Sequence, residues 1–286
     1  MFRGPTVPDH DRDRRFRAAV GIDSYEPVHA HGVRMRDTLE ALEAGEITAD
    51  EAESRLAGYV TTDSGRFDAD REQRRGVPEA VLAEGKTASE TASLATTALA
   101  ATGRALVTRA EPDVADAVVD AIMDADPDAT VERHDRARAV VAHAGAFEPP
   151  SLAASVAVVT AGTSDAPVAD EAALVAAEVG AAVDRIEDVG VANVDRLLDQ
   201  IDRIREADAV VVAAGREGAL PTVVAGLVAA PVIGLPVSTG YGVGGEGVAA
   251  LHGTLQSCTV LTTVNVDAGF VAGAQAGLIA RAIDGR

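Results

Sequence analysis

The chain has 286 residues and a formal net charge of −20, from 45 aspartates and glutamates against 25 lysines and arginines. A surface this acidic repels nucleic acid and anionic membranes, so neither is an expected partner. No apolar run reaches the roughly 18 residues of a membrane span, and the N-terminus lacks the apolar stretch of a signal peptide. We therefore expect a cytoplasmic protein.

The acidic charge has two readings. It could bind a basic partner, or it could be a solvated surface suited to a salty cytoplasm, and the even spread of the acids favours the second. This composition resembles that of halophilic proteins. The single cysteine excludes an intrachain disulfide and a cysteine-clustered zinc site. We predict no metal site.

The first half of the sequence has the pattern of an extension followed by a small domain. Residues 1–34 are rich in charge, proline and histidine without periodicity, which is typical of a disordered extension. The domain predicted over residues 35–150 opens with a helical hairpin to residue 59, in which Thr48 and Glu51 form a capping box. Short apolar strands then alternate with helices, which predicts a small α/β domain. The strands are expected at 81–82, 105–108 and 139–142, and the helices at 87–102 and 112–124.

The second half, residues 151–286 after the Pro149-Pro150 hinge, alternates more regularly. Five short apolar strands, each followed by a helix, predict a parallel sheet covered on both faces. The fold class is therefore α/β, with a three-layer Rossmann-like core. The strands are expected at 155–160, 182–186, 209–214, 231–235 and 262–266, and the helices at 167–179, 194–205, 220–228, 247–255 and 270–282. In such sheets ligands bind beyond the carboxyl ends of the strands.

The loop after the first core strand carries Thr163, Ser164 and Asp165 just before a helix. Backbone amides at a helix N-terminus, with hydroxyls beside them, suit a phosphate, and Asp165 suits a ribose hydroxyl. The alternative is an ordinary helix cap made by Ser164 or Asp165.

Two further loops follow core strands. Glu217, next to Gly218, suits a general base, or else a carboxylate that complements a helix dipole. The glycine-rich loop 236–247 allows close approach to a ligand, but it is neither a GxGxxG fingerprint nor a P-loop.

Cys258 lies between the fourth core helix and the fifth strand. A lone cysteine is either a small buried side chain or a reactive thiol. Asn265 and Asp267 close the fifth predicted strand and are expected at the ligand-binding edge.

These motifs together resemble the AIR-carboxylase (PurE) fold and, more closely, the LarB family of nickel-pincer cofactor biosynthesis. Thr163-Ser164-Asp165 with Pro167 matches a nucleotide-binding loop that both groups share. The remaining matches are LarB-like. They are Asp188-Val189-Gly190-Val191-Ala192, Glu217-Gly218-Ala219-Leu220-Pro221, Gly240-Tyr241-Gly242, Ser257-Cys258, Asn265-Val266-Asp267-Ala268-Gly269-Phe270 and the stretch from Asp70 to Thr87.

The resemblance implies a reaction on nicotinic acid adenine dinucleotide. The pyridinium ring is carboxylated with CO2 or bicarbonate and the phosphoanhydride is hydrolysed, giving pyridinium-3,5-biscarboxylic acid mononucleotide and AMP. No organic cofactor is implied, and Mg²⁺ is the candidate ion for the hydrolysis. The resemblance also implies a homo-oligomer, an octamer of the core.

The same resemblance assigns roles. Cys258 is the nucleophile and Glu217 accepts a proton, while Thr163, Ser164 and Asp165 hold phosphate and ribose. Arg74 and Arg75 reach the anionic substrate from the N-terminal domain. The other expected substrate-binding residues are Asp188, Gly190, Gly218, Ser238, Gly240, Tyr241, Gly242, Asn265 and Asp267.

Two alternatives stay open. The first is a purine-pathway enzyme of the AIR-carboxylase type, although the histidine of those enzymes is missing from the loop 215–219. The second is a nucleotide-binding regulator without catalysis.

Overall fold

The computed structural model describes residues 29–285, except the side chains of residues 29–34, 50, 51 and 55. It divides the chain into two compact units, Met1–Ala57 and Gly58–Arg286. The described part of the first unit is a pair of helices, α1 (His29–Glu43) and α2 (Ala49–Leu56). Residues 29–34, expected in the extension, are therefore helical, and residues 1–28 of that extension lie outside the described residues.

The first part of the second unit is a small α/β lobe. A four-stranded sheet in the order β3-β4-β6-β5 packs against α4 and α5. Thr87 and Glu90 form a capping box at the start of α4, which fixes where that helix begins. The elements of this lobe are β1 (Val60–Thr62), β2 (Gly65–Phe67), α3 (Arg71–Arg75), β3 (Val81–Leu82), α4 (Ala88–Thr102), β4 (Arg104–Thr108), α5 (Pro112–Ala125), β5 (Thr130–His134) and β6 (Ala139–His143).

The second part is the predicted α/β core. Its five strands are all parallel, in the order β11-β10-β9-β7-β8. Its elements are β7 (Ser155–Thr160), α6 (Ala166–Val179), β8 (Ala182–Ile186), α7 (Val194–Leu198), α8 (Ile201–Arg205), β9 (Ala209–Ala214), α9 (Ala219–Ala225), β10 (Val232–Pro236), α10 (Val248–Leu255), β11 (Thr262–Thr263) and α11 (Gly269–Ile283).

Helices cover both faces of the core sheet, as the continuous apolar strands predicted. One face packs against α6 and α11, and the other against α7, α8 and α9. All six residues of β9 are buried because this strand lies at the centre of the sheet. The fold class is confirmed.

A buried ion cluster joins the lobe to the core. The side chain of Arg104, in β4, is 3% exposed and donates to the backbone oxygen of Glu178 at 2.8 Å and to its carboxylate at 3.3 Å. Glu72 accepts from the same guanidinium, and His143 Nε2 lies 3.1 Å from the Glu178 carboxylate. Removing one partner would leave a buried charge unpaired, so this cluster strongly favours one arrangement of the two parts.

Glycines let α6 and α11 pack closely. Gly269, Gly273 and Gly277 recur every fourth residue along α11 and face α6. A Cβ on Gly273 would overlap the carbonyl group of Ala172, which is backbone and cannot move aside. The helix pair therefore tolerates no side chain at this position.

We predict that Gly273→Ala destabilises the protein by about 1–3 kcal/mol, because overpacking outweighs the usual gain in helix propensity. Urea unfolding at constant salt measures the effect. Gly145→Ala is the matched control, because its methyl group would lie 3.6 Å from the nearest atom, an ordinary contact. Equal stability of the two variants would contradict the close packing.

Candidate functional site

The strand order sets a topological switch point at one edge of the core sheet, and the region between the loops at that edge is called the crevice below. The chain leaves β7 toward β8 on one side, and β9, β10 and β11 follow on the other, so the order reverses between β7 and β9. Ligands bind at the carboxyl edge of such a switch point. The loops after β7, β9 and β10 meet there.

Asp165 connects these three loops. Its side chain is buried, with 3% exposure, and one carboxylate oxygen accepts a hydrogen bond from the Gly162 amide at 2.8 Å. The other lies 3.4 Å from the Thr239 hydroxyl, and the Gly215 amide also donates to the carboxylate. Asp165 therefore faces the protein, while its neighbours Thr163 and Ser164 are exposed at the start of α6.

Close backbone contact holds the glycine-rich loop against the loop after β9. A Cβ on Gly240 would overlap the carbonyl oxygen of Gly215. Gly242, two residues on, has a φ of 93°, which side chains rarely adopt. Gly218 has a φ of 69° and lies against the backbone of Ala250 in α10.

Asp267 organises the loop after β11. Its carboxylate accepts from the Ser238 amide at 2.9 Å, and its own amide donates to the Pro236 oxygen at 2.9 Å. Its backbone oxygen accepts from Arg109 Nη2 at 2.9 Å. Asn265, in the same loop, is exposed.

Sequence reasoning missed Arg109. It follows β4 in the lobe, 158 residues before Asp267, and belongs to no motif quoted above. Its Nε also lies 3.7 Å from the buried carboxylate of Glu171 in α6. Burial raises the pKa of Glu171, and the nearby Arg109 charge opposes that rise. Arg109 thus ties the lobe to the crevice edge.

Strained backbone concentrates at this edge. Of the five non-glycine residues with positive φ in the described part of the chain, three lie in loops after core strands: Asp188, Glu246 and Asp267. Non-glycine residues in this region persist only where their surroundings fix them. The Asp188 amide donates to Thr160 Oγ1 at 3.1 Å, and its carboxylate pairs with Arg196 at 2.9 Å. Gly190 is buried against Ala161.

An arginine–tyrosine pair stands at the mouth of the crevice. The guanidinium carbon of Arg216 lies 3.8 Å from the centre of the Tyr241 ring, and Tyr241 is 78% exposed. Glu217 is exposed beside Arg216. This edge therefore offers solvent-accessible hydroxyls, carboxylates, a guanidinium and an aromatic ring.

Cys258 is exposed, so the alternative of a small buried side chain is wrong. It precedes β11, and Thr262 of that strand pairs with Ile233 near the start of β10. The neighbouring Thr259 lies near Gly226, at the end of α9. A loop that enters a parallel strand lies toward the amino ends of the strands, whereas the crevice loops follow their carboxyl ends.

Arg74 and Arg75 lie beside the last turns of α11. Arg74 donates two hydrogen bonds to the Asp68 carboxylate, at 2.6 and 3.0 Å. Gly76, which ends their helix, packs on Leu278 and Arg281. The structure does not bring these arginines together with the crevice loops of the same chain.

Among residues 29–285, apart from the side chains of residues 29–34, 50, 51 and 55, no group of three or more His, Cys, Asp or Glu could hold a metal ion. Within the same range, no helix has the length and apolarity that crossing a bilayer requires.

Asp165 predicts a specific pH dependence. Burial raises its pKa above the ordinary 3.8 although three hydrogen bonds oppose the rise. The folded state then binds a proton more tightly than the unfolded chain, so this group lowers the free energy of unfolding as pH rises from about 3.8 through the raised pKa. Asp165→Asn cannot titrate, and its lost hydrogen bonds give a constant offset.

We therefore expect the stability of Asp165→Asn relative to wild type to improve as pH rises through that window. Urea midpoints at fixed salt measure it, with Asp63→Asn in an exposed turn as the control for one lost carboxylate. A stability difference that does not change with pH would contradict the assignment.

Comparison with known proteins agrees with this geometry. Residues 59–144 match the family model described as the LarB/PurE-like N-terminal domain, and residues 155–286 match the AIR carboxylase model. An uncharacterised protein of Methanocaldococcus jannaschii is 34% identical over 261 residues, which cover 87% of this chain and 98% of that protein. The chain belongs to the LarB family and carries a PurE-like core of the AIR-carboxylase type.

Proposed function

We propose that the protein carboxylates the pyridinium ring of nicotinic acid adenine dinucleotide and hydrolyses its phosphoanhydride, giving pyridinium-3,5-biscarboxylic acid mononucleotide and AMP. The observation that carries this proposal is the crevice around Asp165, where three loops of a carboxylase-type core converge. Family membership supports a carboxylase-type enzyme, and the residues at the crevice support the finer assignment.

The crevice has groups suited to a nucleotide. Exposed hydroxyls of Thr163 and Ser164 stand at the start of α6, a helix of 14 residues whose N-terminal amides and dipole favour an anion. Tyr241 offers an open aromatic face for a base or a pyridinium ring. The loops that carry these groups are fixed by Asp165 and Asp267, which is the preorganisation that tight binding needs.

A pyridinium ring needs a nucleophile before it reacts with CO2, because it is electron-poor. Addition of the Cys258 thiolate to a ring carbon turns the ring into an enamine, whose nucleophilic carbon forms a bond to the carbon of CO2. Glu217 then accepts the proton from the carboxylated carbon, and expulsion of the thiolate restores aromaticity. Water attack on the phosphoanhydride releases AMP.

The positions of Cys258 and the crevice add a requirement to this proposal. Because the loop with Cys258 enters β11 whereas the crevice loops leave their strands, we propose that the thiol comes from a neighbouring copy of the chain. Exposed apolar residues beside the cysteine, Leu255 and Val260, are 63% and 96% exposed and suit such a contact. The homo-oligomer that the resemblance implies, an octamer, would supply it.

Two other functions have weaker support. A purine-pathway carboxylase would need the histidine that is missing from the loop 215–219. A non-catalytic nucleotide-binding regulator would keep the crevice without using the thiol. That second alternative is favoured if the nucleotide binds and returns unchanged.

We expect the purified protein, given nicotinic acid adenine dinucleotide and bicarbonate in high salt, to form the dicarboxylated mononucleotide and AMP. Cys258→Ala should form none of the carboxylated product. Mass spectrometry follows both products, with and without Mg²⁺. A folded wild-type protein that binds the dinucleotide but leaves it unchanged would exclude the carboxylase and favour the regulator.

Mixing two inactive variants tests the shared site. Cys258→Ala keeps an intact crevice, and Glu217→Gln keeps an intact thiol. After subunit exchange at equal concentrations, sites that combine one of each should restore about a quarter of wild-type activity. Each variant assayed alone sets the background. Native mass spectrometry verifies that subunits have exchanged. If no activity returns after exchange, Cys258 and Glu217 either act within one chain or do not act in the same site.

A further inference from the structure

Arg216 stands out from most arginines of this acidic protein. Most arginines in the described part of the chain pair with carboxylates, including Arg136 with Asp170 and Glu187. Among residues 58–285, no carboxylate lies within ion-pair distance of the Arg216 guanidinium, although the exposed Glu217 is its neighbour in sequence. Its partner is the ring of Tyr241.

The stacking leaves the guanidinium available. A guanidinium that lies over an aromatic ring uses one face and keeps the N–H groups of its edge free for a planar, two-pronged contact. Phosphate oxygens fit that edge, and such charge-assisted pairs are stronger than hydrogen bonds between neutral groups. Tyr241 therefore holds Arg216 ready to bind an anion.

The pair is located where a nucleotide would enter. Arg216 follows Gly215, whose amide donates to Asp165, and its Cα lies 3.7 Å from the position of a Cβ on Gly240. It thus stands at the contact of the loops after β9 and β10. In a chain with 45 acidic residues against 25 lysines and arginines, a cation without a carboxylate partner at this position suits an anionic ligand.

We propose that Arg216, positioned by Tyr241, binds a phosphate group of the nucleotide substrate. The inference rests on the proposed function and extends it, since no sequence motif above included Arg216. The residue is a binding group for the phosphate and takes no part in the chemistry at the ring.

Three ligands distinguish recognition of the phosphate from recognition of the pyridine ring and ribose. They are nicotinic acid adenine dinucleotide, nicotinic acid mononucleotide and nicotinic acid riboside. The riboside lacks phosphate. Titration calorimetry at fixed salt compares wild type with Arg216→Gln. We expect the variant to lose about ten- to a hundredfold in affinity for both phosphorylated ligands and less than about twofold for the riboside.

The chain offers a matched control. Arg66 is a second exposed arginine stacked on a tyrosine, with its guanidinium carbon 5.1 Å from the Tyr59 ring, and it lies in the β1–β2 hairpin. Arg66→Gln removes the same charge and the same kind of stacking, and it should leave all three affinities unchanged. Arg216→Lys keeps the charge without the planar edge and should recover only part of the loss. In turnover, Arg216→Gln should raise KM while kcat stays near wild type.

The outcomes distinguish the two proposals. Equal losses for the riboside and the phosphorylated ligands, or no loss at all, overturn the role of Arg216 even if the carboxylated product forms. A phosphate-specific loss without any carboxylated product supports Arg216 and overturns the proposed reaction. Failure of the wild type to bind either phosphorylated ligand overturns the inference directly.

Discussion

The buried carboxylate of Asp165 is the interaction on which the geometry of the crevice depends. A carboxylate removed from water carries a large cost unless donors satisfy it, and here the donors come from the loops after β7, β9 and β10. Each loop is therefore held by the same group, and displacing one leaves the charge less satisfied. The raised pKa shows that burial still outweighs the hydrogen bonds. The crevice is thus maintained at some cost to stability, as is common for functional sites.

Small residues make this arrangement possible. Aromatic residues are only 3% of the chain, and the core is filled largely by alanine and valine. Backbones can then approach closely, as at Gly273 between α6 and α11 and at Gly240 between two crevice loops. Packing of this kind leaves little space for adjustment, so the helices hold the sheet and its edge loops in a single arrangement.

The sequence predicted the buried elements well and the exposed ones poorly. β7 and β9 are continuous apolar runs because both faces of the sheet are covered. β5 was missed because its pattern, with one valine among polar residues, follows from exposure at a sheet edge. The single helix expected at 194–205 is two short helices, α7 and α8.

Contacts such as Arg109 with Asp267 join residues far apart in sequence, and no local pattern encodes them. The side of the sheet that Cys258 occupies could have been inferred, because a loop that enters a parallel strand lies at its amino end.

The N-terminal lobe takes part in shaping the crevice. Asp267 has a φ of 54°. In that conformation its backbone oxygen accepts a hydrogen bond from the Arg109 guanidinium, and its carboxylate accepts one from the Ser238 amide. Arg109 itself has a φ of 57°, so strained residues meet on both sides of this contact. The contact persists because the Arg104 cluster fixes the lobe on the core, and the nearby Glu171 carboxylate attracts Arg109. A core that lacked the lobe would lose the donor that stabilises this conformation of Asp267, and the glycine-rich loop would lose its fixed neighbour. The matched N-terminal and carboxylase-type domains therefore form one functional unit, in which the first supports the loop geometry of the second.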